Sequence, residues 1–194
     1  MSSLALHRLI SQRLPQGPRV LYLGCGDGAL MAFLQQECGC TGYGVEINDA
    51  DVLRCVQRGV NVIQLNLDEG LAMFGDQRFD VVLQIDPLQH LRNAETMLRE
   101  TARVGRTGIV AFPNFAHWPN RLQVLRGQMP VTKTLPYQWY DTPNIRVGTY
   151  KDFEVLAVKN GLRVTDAYGM REGREIRFLP NARASEAVFV FERG

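Results

Sequence analysis

The sequence has little excess charge of either sign. Its 22 lysines and arginines nearly balance 20 aspartates and glutamates, so the formal net charge is only +2. Surfaces that bind nucleic acid or membranes through charge need a larger basic excess. No uninterrupted apolar run approaches the roughly 20 residues that span a bilayer. The first fourteen residues fit a short amphipathic helix and lack the continuous apolar core of a signal peptide. We therefore expect a cytoplasmic protein with neither nucleic acid nor membrane as a partner.

Cysteine is scarce, and its spacing is unlike that of a metal site. Cys38 and Cys40 form one close pair, but no second pair and no nearby histidine lies at the spacing of zinc ligands. Cys25 lies in a glycine-rich turn and Cys55 in a helical pattern. We expect all four to be free thiols in a reducing compartment, and we expect no bound metal.

Strand-like and helix-like segments alternate along the chain, which is typical of a parallel sheet wrapped by helices. The length suits a single domain over residues 1–194. Five βα-type units precede two strands whose connection has little helix signal, and strands joined without a crossover pair antiparallel. We predict an α/β fold: a seven-stranded, mostly parallel sheet with one antiparallel strand and helices on both faces. The predicted strands are 19–23, 42–46, 60–65, 79–85, 109–112, 162–168 and 187–191, and the predicted helices are 29–36, 49–58, 69–74, 94–104 and 150–160.

A glycine-rich turn follows the first predicted strand. The run Val20-Leu21-Tyr22-Leu23 ends in Gly24-Cys25-Gly26-Asp27-Gly28, and a helix is predicted directly after it. Glycines let the backbone turn sharply and let a ligand lie against it. Glu46 comes about 20 residues later at the end of the second strand, where a carboxylate suits two ribose hydroxyls. These features predict a nucleoside-bearing cofactor.

A nicotinamide dinucleotide is one candidate, because Gly24, Gly26 and Ala29 also satisfy the dinucleotide fingerprint. Three observations count against it. The two last strands, predicted to pair antiparallel, stand where a doubly wound dehydrogenase domain would have its second mononucleotide-binding half. Little chain is left for a separate substrate domain. None of the six tyrosines has a lysine four residues later, so the Tyr-x-x-x-Lys pair of compact reductases is absent.

Nearly the whole chain instead resembles the class I S-adenosylmethionine (SAM) dependent methyltransferases, whose fold is Rossmann-like. The resemblance rests on the glycine-rich turn, Glu46, the run Phe79-Asp80-Val81-Val82 and the run Leu88-Gln89-His90-Leu91. It implies that SAM or S-adenosylhomocysteine (SAH) is the cofactor. The glycines would line its methionine and ribose parts, Glu46 would hold the ribose hydroxyls, and residues after the third strand would flank the adenine. The cofactor-binding residues expected on this basis are Leu23, Gly24, Cys25, Gly26, Gly28, Glu46, Ile47, Asn66, Leu67 and Asp68.

The sequence departs from that superfamily pattern at two positions. Tyr22 stands where an acidic residue usually helps to hold the amino-acid end of the cofactor, and Asn66 stands where closer relatives tend to have aspartate. An asparagine can still hydrogen-bond an adenine amino group, but Tyr22 supplies no charge for an ammonium group. We expect the geometry of the site to be retained with weaker binding, and the alternative is a degenerate site that only supports the fold.

A narrower resemblance lies in the second half of the chain. The runs Phe112-Pro113-Asn114-Phe115-x-His117-Trp118, Gly127-x-Met129-Pro130-Val131-Thr132 and Leu135-Pro136-Tyr137-x-Trp139-Tyr140-Asp141-Thr142-Pro143-Asn144-Ile145 are similar to the MetW family. These small methyltransferase-like proteins are associated with methionine biosynthesis. The resemblance implies homoserine O-acetyltransferase as a partner.

An aromatic and proline-rich insertion, residues 113–148, follows the fifth predicted strand. Residues 127–148 contain three prolines and show no helical or alternating period. Long loops in compact domains are usually functional or disordered, and the aromatic content argues against disorder. The insertion should lie over the carboxyl ends of the strands, so we interpret it as a substrate lid or a partner-docking surface. Its candidate residues are Phe115, Trp118, Tyr137, Trp139 and Tyr140.

Two histidines are candidate general bases for a methyl acceptor. His90 follows the end of the fourth strand, and its alternative role is that of a cavity wall. His117 is the second candidate, and its alternative role is to start a helix. Asp86-Pro87 is half of an Asp-Pro-Pro-Tyr motif, and we interpret it as a chain turn.

Two functions remain open at this point. One is a SAM- or SAH-binding regulatory protein that supports homoserine O-acetyltransferase in methionine biosynthesis. The other is an active SAM-dependent methyltransferase acting on an unidentified small acceptor. The Tyr22 departure and the lack of a recognisable acceptor motif favour the regulatory function, and a nicotinamide enzyme is a distant third.

Overall fold

The computed structural model describes residues 3–194, which form an eight-stranded sheet flanked by helices. The strands lie in the order β3-β2-β1-β4-β5-β8-β6-β7. Neighbours β3 to β5 are all parallel, and β8 runs antiparallel to both β5 and β6. The strands are β1 (Arg19–Leu23), β2 (Thr41–Glu46), β3 (Val62–Gln64), β4 (Phe79–Ile85), β5 (Gly105–Pro113), β6 (Leu162–Arg171), β7 (Arg174–Ile176) and β8 (Glu186–Arg193).

Helix starts follow local capping chemistry. The side chain of Asn48 accepts from the N–H groups of Ala50 and Asp51, and that of Thr149 accepts from the N–H of Asp152, which confirms the predicted start after Thr149. Asn93 precedes a helix as predicted, but its side chain makes no capping hydrogen bond. The helices of the described chain are α1 (Ser3–Ser11), α2 (Ala29–Cys38), α3 (Asp49–Gln57), α4 (Ala94–Val104), α5 (Trp118–Leu125), α6 (Tyr150–Lys159) and α7 (Pro180–Arg183).

The predicted α/β architecture is confirmed, with a correction to the strand count. The sheet has eight strands rather than seven, and two of them, β8 and β7, run in the direction opposite to the other six. Strand β7 is only three residues long, and it forms because the chain folds back onto the end of β6. The connection from there to β8 contains the single turn of α7.

The predicted helix over residues 69–74 is wrong. A 3-10 turn spans Leu67–Glu69 instead, and it ends at Gly70, whose φ is 86°. The following carbonyl oxygens of Leu71 and Phe74 accept hydrogen bonds from the guanidinium of Arg103. That tertiary contact satisfies carbonyls that a helix would have paired along its own axis.

The core lies on both faces of the sheet. One buried cluster joins α1 and α2 to β1, with Tyr22 and Met31 among its members. Another surrounds Phe189 of β8, whose ring centroid lies 4.5 Å from that of Phe153. Leu21 belongs to a third buried cluster, so the side chains of Tyr22 and Leu21 pack on opposite faces of the sheet. The carboxyl end of β1 lies between those of β2 and β4. Ligands bind at such a switch point in open α/β sheets.

The insertion after β5 begins and ends at adjoining points. Asn114 and Gly148 form an isolated parallel bridge, and the N–H of Phe115 donates to the carbonyl oxygen of Gly148 at 2.9 Å. Helix α5 occupies the first part of the insertion, and neither helix nor strand is present from residue 126 to 149. Further along, the N–H groups of Ile145 and Arg146 both donate to the carbonyl oxygen of Gln89 at 3.1 Å. The insertion is thus attached to the segment that follows β4.

Candidate functional site

The glycine-rich turn after β1 is shaped by backbone conformations that favour glycine. Gly24, Gly26 and Gly28 have φ angles of 67°, 54° and 76°. A Cβ atom on Gly24 would lie 3.0 Å from the Cβ of Pro87, which belongs to the turn after β4. Gly28 directly precedes α2, and a Cβ there would lie 2.9 Å from the Sγ of Cys55. Side chains are therefore excluded at Gly24 and Gly28 by both φ and space.

The carboxylate of Glu46 binds this turn. Its Oε2 accepts from the N–H of Gly26 at 2.8 Å. Its Oε1 accepts from the N–H groups of Ile47 at 2.8 Å and Asn48 at 3.0 Å. Charge-assisted bonds of this kind are among the stronger hydrogen bonds in proteins. Since a carboxylate has about four lone-pair sites, these three bonds leave capacity for a hydroxyl donor.

A cavity of about 600 Å³ opens over the carboxyl ends of β1, β2, β3 and β4. Seven of the site residues expected from the sequence line it: Gly24, Glu46, Ile47, Asn66, Leu67, Asp68 and His90. Its other lining residues were not predicted as site residues; they are Val45, Leu65, Ile85, Asp86, Pro87, Leu91, Arg92 and Ile145.

Four expected cofactor residues do not line this cavity: Leu23, Cys25, Gly26 and Gly28. Leu23 is fully buried in the core, and the N–H of Gly26, which is half-buried, donates to Glu46. The Sγ atoms of Cys25 and Cys55 lie 3.7 Å apart, and burial raises the pKa of both thiols.

The side chains after β3 are held by the chain around them. Asn66 accepts from the N–H of Asp68 at 3.0 Å, which leaves its amide nitrogen as a donor. One carboxylate oxygen of Asp68 accepts from the N–H of Arg92 at 2.9 Å. Together with Glu46, they present polar groups with fixed positions at this end of the cavity.

A second cavity of about 240 Å³ adjoins the first, and Asp86 and His90 line both. Its wall also includes Gln89, Glu186 of β8 and residues of the insertion, among them Tyr137. The Nε2 of His90 lies 2.8 Å from the Oδ1 of Asn144, another insertion residue. The insertion therefore forms part of this cavity.

Asp86 is the main site residue that the sequence analysis interpreted otherwise. It is more than a turn residue, because its Oδ1 is buried and has no hydrogen-bond partner within residues 3–194. Burial raises the pKa of Asp86 to about 6, and the charge of His90 opposes that shift. Burial and the negative charge of Asp86 together raise the pKa of Glu186 to about 7. The sequence signal that could have identified Asp86 is its position directly after an apolar central strand.

The second candidate base, His117, lies apart from both cavities. It precedes α5 and is buried, with its Nε2 unpartnered among the described residues. Burial lowers its pKa, and the nearby charge of Arg171 acts in the same direction. The backbone carbonyl of His117 accepts from the N–H of Asn120 at 2.9 Å. His117 thus occupies the helix-starting position that was its alternative role.

The aromatic residues of the insertion differ in exposure. Phe115, Tyr137 and Trp139 line a small cavity within the insertion, and Tyr137, which is 49% exposed, also lines the second cavity. Trp139 and Tyr140 are each 71% exposed, and their ring centroids lie 5.6 Å apart. Trp118 is also exposed, at 47%. Large aromatic side chains left in solvent are typical of interaction surfaces.

Over residues 3–194, no group of three or more histidine, cysteine, aspartate or glutamate side chains is arranged to hold a metal ion, and all four cysteines are free. Within the same residues, no helix has the length and apolar character needed to cross a bilayer.

Comparison with known proteins relates this chain to methionine biosynthesis and to methyltransferases. The bifunctional methionine biosynthesis protein MetXA/MetW of Rhodopirellula baltica is 33% identical over 198 residues, covering 95% of this chain and 32% of that protein. The chain thus spans about a third of that relative's length. The ubiquinone biosynthesis O-methyltransferase of Pseudomonas fluorescens strain Pf0-1 is 31% identical over 160 residues, covering 77% of this chain and 68% of that protein.

The fold is also similar to solved methyltransferase structures. Magnesium protoporphyrin IX methyltransferase (ChlM) from Synechocystis PCC 6803, determined with bound SAH, superimposes with a TM-score of 0.65 at 20% identity. The superposition covers 99% of this chain and 81% of that one. A family model described as "Methionine biosynthesis protein MetW" matches residues 5–191. The chain therefore belongs to the MetW family and has the fold of the SAM-dependent methyltransferases.

Proposed function

We propose that this protein binds SAM or SAH in the larger cavity and supports homoserine O-acetyltransferase in methionine biosynthesis. The observation that carries the first half is the convergence of Gly24, Glu46 and Asn66 on one cavity from three neighbouring strands. Gly24 allows a ligand to approach the backbone, Glu46 accepts from a ribose hydroxyl, and Asn66 donates to the adenine. Ile47, Leu67 and Asp68 flank the base, and Leu23, Cys25, Gly26 and Gly28 support the turn behind it.

The regulatory half of the proposal rests on the insertion. Trp139 and Tyr140 are exposed, and the insertion that carries them also lines the second cavity through Tyr137. In the Rhodopirellula relative, a MetXA part and a MetW part share one chain. Because fusion keeps two proteins side by side, it supports a physical association, and we assign the acetyltransferase role to the MetXA part. Contact with the partner would then be coupled to occupancy of the cavity. The four free thiols agree with the cytoplasm as the proposed compartment.

The first test is a calorimetric titration of the purified protein with SAM, SAH and, as a control, NADH. We expect micromolar binding of SAM or SAH and no binding of NADH. If neither SAM nor SAH binds at millimolar concentration, the cavity is not a cofactor site. Acetyltransferase activity measured with and without this protein, at increasing SAH, then tests the regulatory half.

The partner surface is tested by replacing Trp139 and Tyr140 together with alanine. Since both side chains are 71% exposed, we expect less than about 1 kcal/mol of lost stability but at least a tenfold weaker association with the acetyltransferase. The matched control replaces Val155 and Val158, which are 64% and 76% exposed on α6. A double variant that binds the acetyltransferase as well as wild type does, while its SAH affinity falls, would identify a lid instead.

A second candidate function is methyl transfer to a small acceptor, and the second cavity favours it. The sulfonium of SAM would supply an activated methyl group for in-line displacement, and alignment of the acceptor would do much of the work. His90 lines both cavities and is the better candidate base, whereas His117 lines neither. Incubation with methyl-labelled SAM and a panel of small thiols, amines and carboxylic acids tests this function through the release of SAH.

A further inference from the structure

Asp86 lies where the two cavities meet. Its N–H donates to the carbonyl oxygen of Ala111 at 2.9 Å, and its φ of 70° turns the chain immediately after β4. This turn brings Pro87 against Gly24, as the space around that glycine shows. Asp86 consequently lines the larger cavity beside the glycine-rich turn and lines the smaller cavity as well.

The polar atoms at this junction are acceptors that lack donors. The Oδ1 of Asp86 and the Oε1 of Gln89 are both buried without a hydrogen-bond partner within residues 3–194, and Gln89 is only 5% exposed. Glu186 adds a second carboxyl group to the same wall, and the side chains on that wall that can carry a positive charge, Lys133 and His90, are both exposed. A buried acceptor without a partner costs about 1–3 kcal/mol, so the arrangement calls for a ligand with donors. An ammonium group offers three donors and a positive charge.

The strand order indicates which ammonium group this is. Asn66 follows β3, Glu46 ends β2, Gly24 follows β1 and Asp86 follows β4, and these strands are consecutive neighbours in the sheet. Three inter-strand spacings of about 4.8 Å separate the first position from the last. SAM and SAH are extended molecules in which adenine, ribose, sulfur and an amino acid follow one another. A nucleoside held at β3 and β2 therefore directs the amino acid across Gly24 toward β4.

We propose that Asp86 binds the α-ammonium group of SAM or SAH, with Gln89 and Glu186 completing the polar wall around it. The inference rests on the proposed function, because it concerns the same ligand. Tyr22, two residues before Gly24, is buried in the core and has no charge to offer. Asp86 supplies that charge from the adjacent strand, since β1 and β4 pair directly.

The experiment compares SAH with 5′-methylthioadenosine, which keeps the nucleoside and the sulfur but lacks the amino acid. Both ligands are titrated into wild type and Asp86→Asn. We expect the substitution to weaken SAH binding ten- to hundredfold, as loss of a charge-assisted hydrogen bond does, and to change methylthioadenosine binding less than twofold. Glu46→Gln should weaken both ligands, since it acts on the nucleoside they share.

Glu154→Gln is the control, because it removes one carboxylate at an exposed position of α6 that lines neither cavity. We expect it to change SAH affinity less than about twofold. Equal losses in the Asp86 and Glu154 variants would indicate a diffuse field and overturn the proposal. So would an Asp86 variant that binds SAH like wild type, or one that loses both ligands equally. A wild-type protein that binds neither ligand would overturn the proposed function itself, and this inference with it. Thermal unfolding of each variant verifies that it is folded.

Discussion

The two ends of the larger cavity differ in how their polar side chains are satisfied. At the β2–β3 end, Glu46 accepts three backbone N–H groups, and Asn66 and Asp68 accept one each. At the β4 end, Asp86 buries an acceptor without a partner in the described chain, and so does Gln89 in the adjoining smaller cavity. The first end is fixed by the fold, whereas at the second the proposed ligand would supply the donors. Rigidity and recognition are thus divided along one cavity, and three predictions test this division.

The largest effect is expected at the fixed end, for Glu46→Ala. It removes the charge-assisted bond from the N–H of Gly26, which ties the glycine-rich turn to β2, and the two from the N–H groups of Ile47 and Asn48 before α3. We expect SAH affinity to fall more than a hundredfold and stability to fall by about 2–4 kcal/mol. Calorimetry and denaturant unfolding measure the two quantities. Glu37→Ala, at an exposed position of α2, is the control. An affinity within threefold of wild type would mean that the fixed end does not bind the nucleoside.

An intermediate effect is expected where the two ends meet, for Gly24→Ala. An alanine at this position would have to keep a φ of 67°, and its Cβ would lie 3.0 Å from the Cβ of Pro87. We expect a loss of about 1–3 kcal/mol in unfolding free energy, together with weaker SAH binding, because the turn after β4 must shift. Gly39→Ala has a similar φ of 64° but open space around its Cβ, so it isolates the conformational cost. Equal effects of the two substitutions on SAH affinity would argue against close contact at Gly24.

The smallest effect is a pH dependence that belongs to the ligand-dependent end. The pKa values of Asp86 and Glu186, about 6 and about 7 in the folded protein, exceed the ordinary 3.8 and 4.5. Between about pH 4 and pH 7 the folded state binds more protons than the unfolded state, so stability falls as pH rises through this window. Asp86→Asn should therefore lose less stability than wild type between pH 5 and pH 8, by on the order of 1 kcal/mol.

The contributions of His7 and His117 to the wild-type profile cancel in this difference. Burial lowers the pKa of His7 and His117, and their stabilising effect grows with pH instead. Both are present in wild type and in the Asp86 variant. Glu154→Gln, at an exposed position of α6, should keep the wild-type slope. If urea unfolding shows that Asp86→Asn also keeps the wild-type dependence of stability on pH, burial does not raise the pKa of Asp86.

The parts of the fold that sequence could predict are those set by local chemistry. The bounds of β4 match the prediction, since a run of apolar residues fixes a central strand wherever its neighbours lie. The start of α6 was likewise set by Thr149 and Asp152, three residues apart. Gly24 and Glu46 could be predicted as site residues because a glycine-rich turn, and an acidic residue at the end of the next strand, are recognised by their spacing along the chain.

The missed features depend on contacts between distant segments. Strand β7 has no apolar alternation and exists only because β6 pairs with it. Residues 69–74 were wrongly predicted to be helical, because the carbonyl oxygens of Leu71 and Phe74 accept hydrogen bonds from Arg103, about 30 residues away. Asp86 was interpreted as a turn residue because its burial against Glu186 joins positions 100 residues apart in the chain. Helix α5 was not among the predicted helices, although a helix start was the alternative role of His117 and Pro119 stands in the first turn.

The bridge between Asn114 and Gly148 closes the insertion at its base, so its interior can change without changing the rest of the domain. Its two ends meet at one point of the domain, and the fully buried side chain of Asn114 also binds the chain at Ala116, Tyr150, Asn181 and Ala184. The entropic cost of closing a loop grows only slowly with its length. Residues between these ends can thus vary in number and sequence while β5 and α6 keep their places.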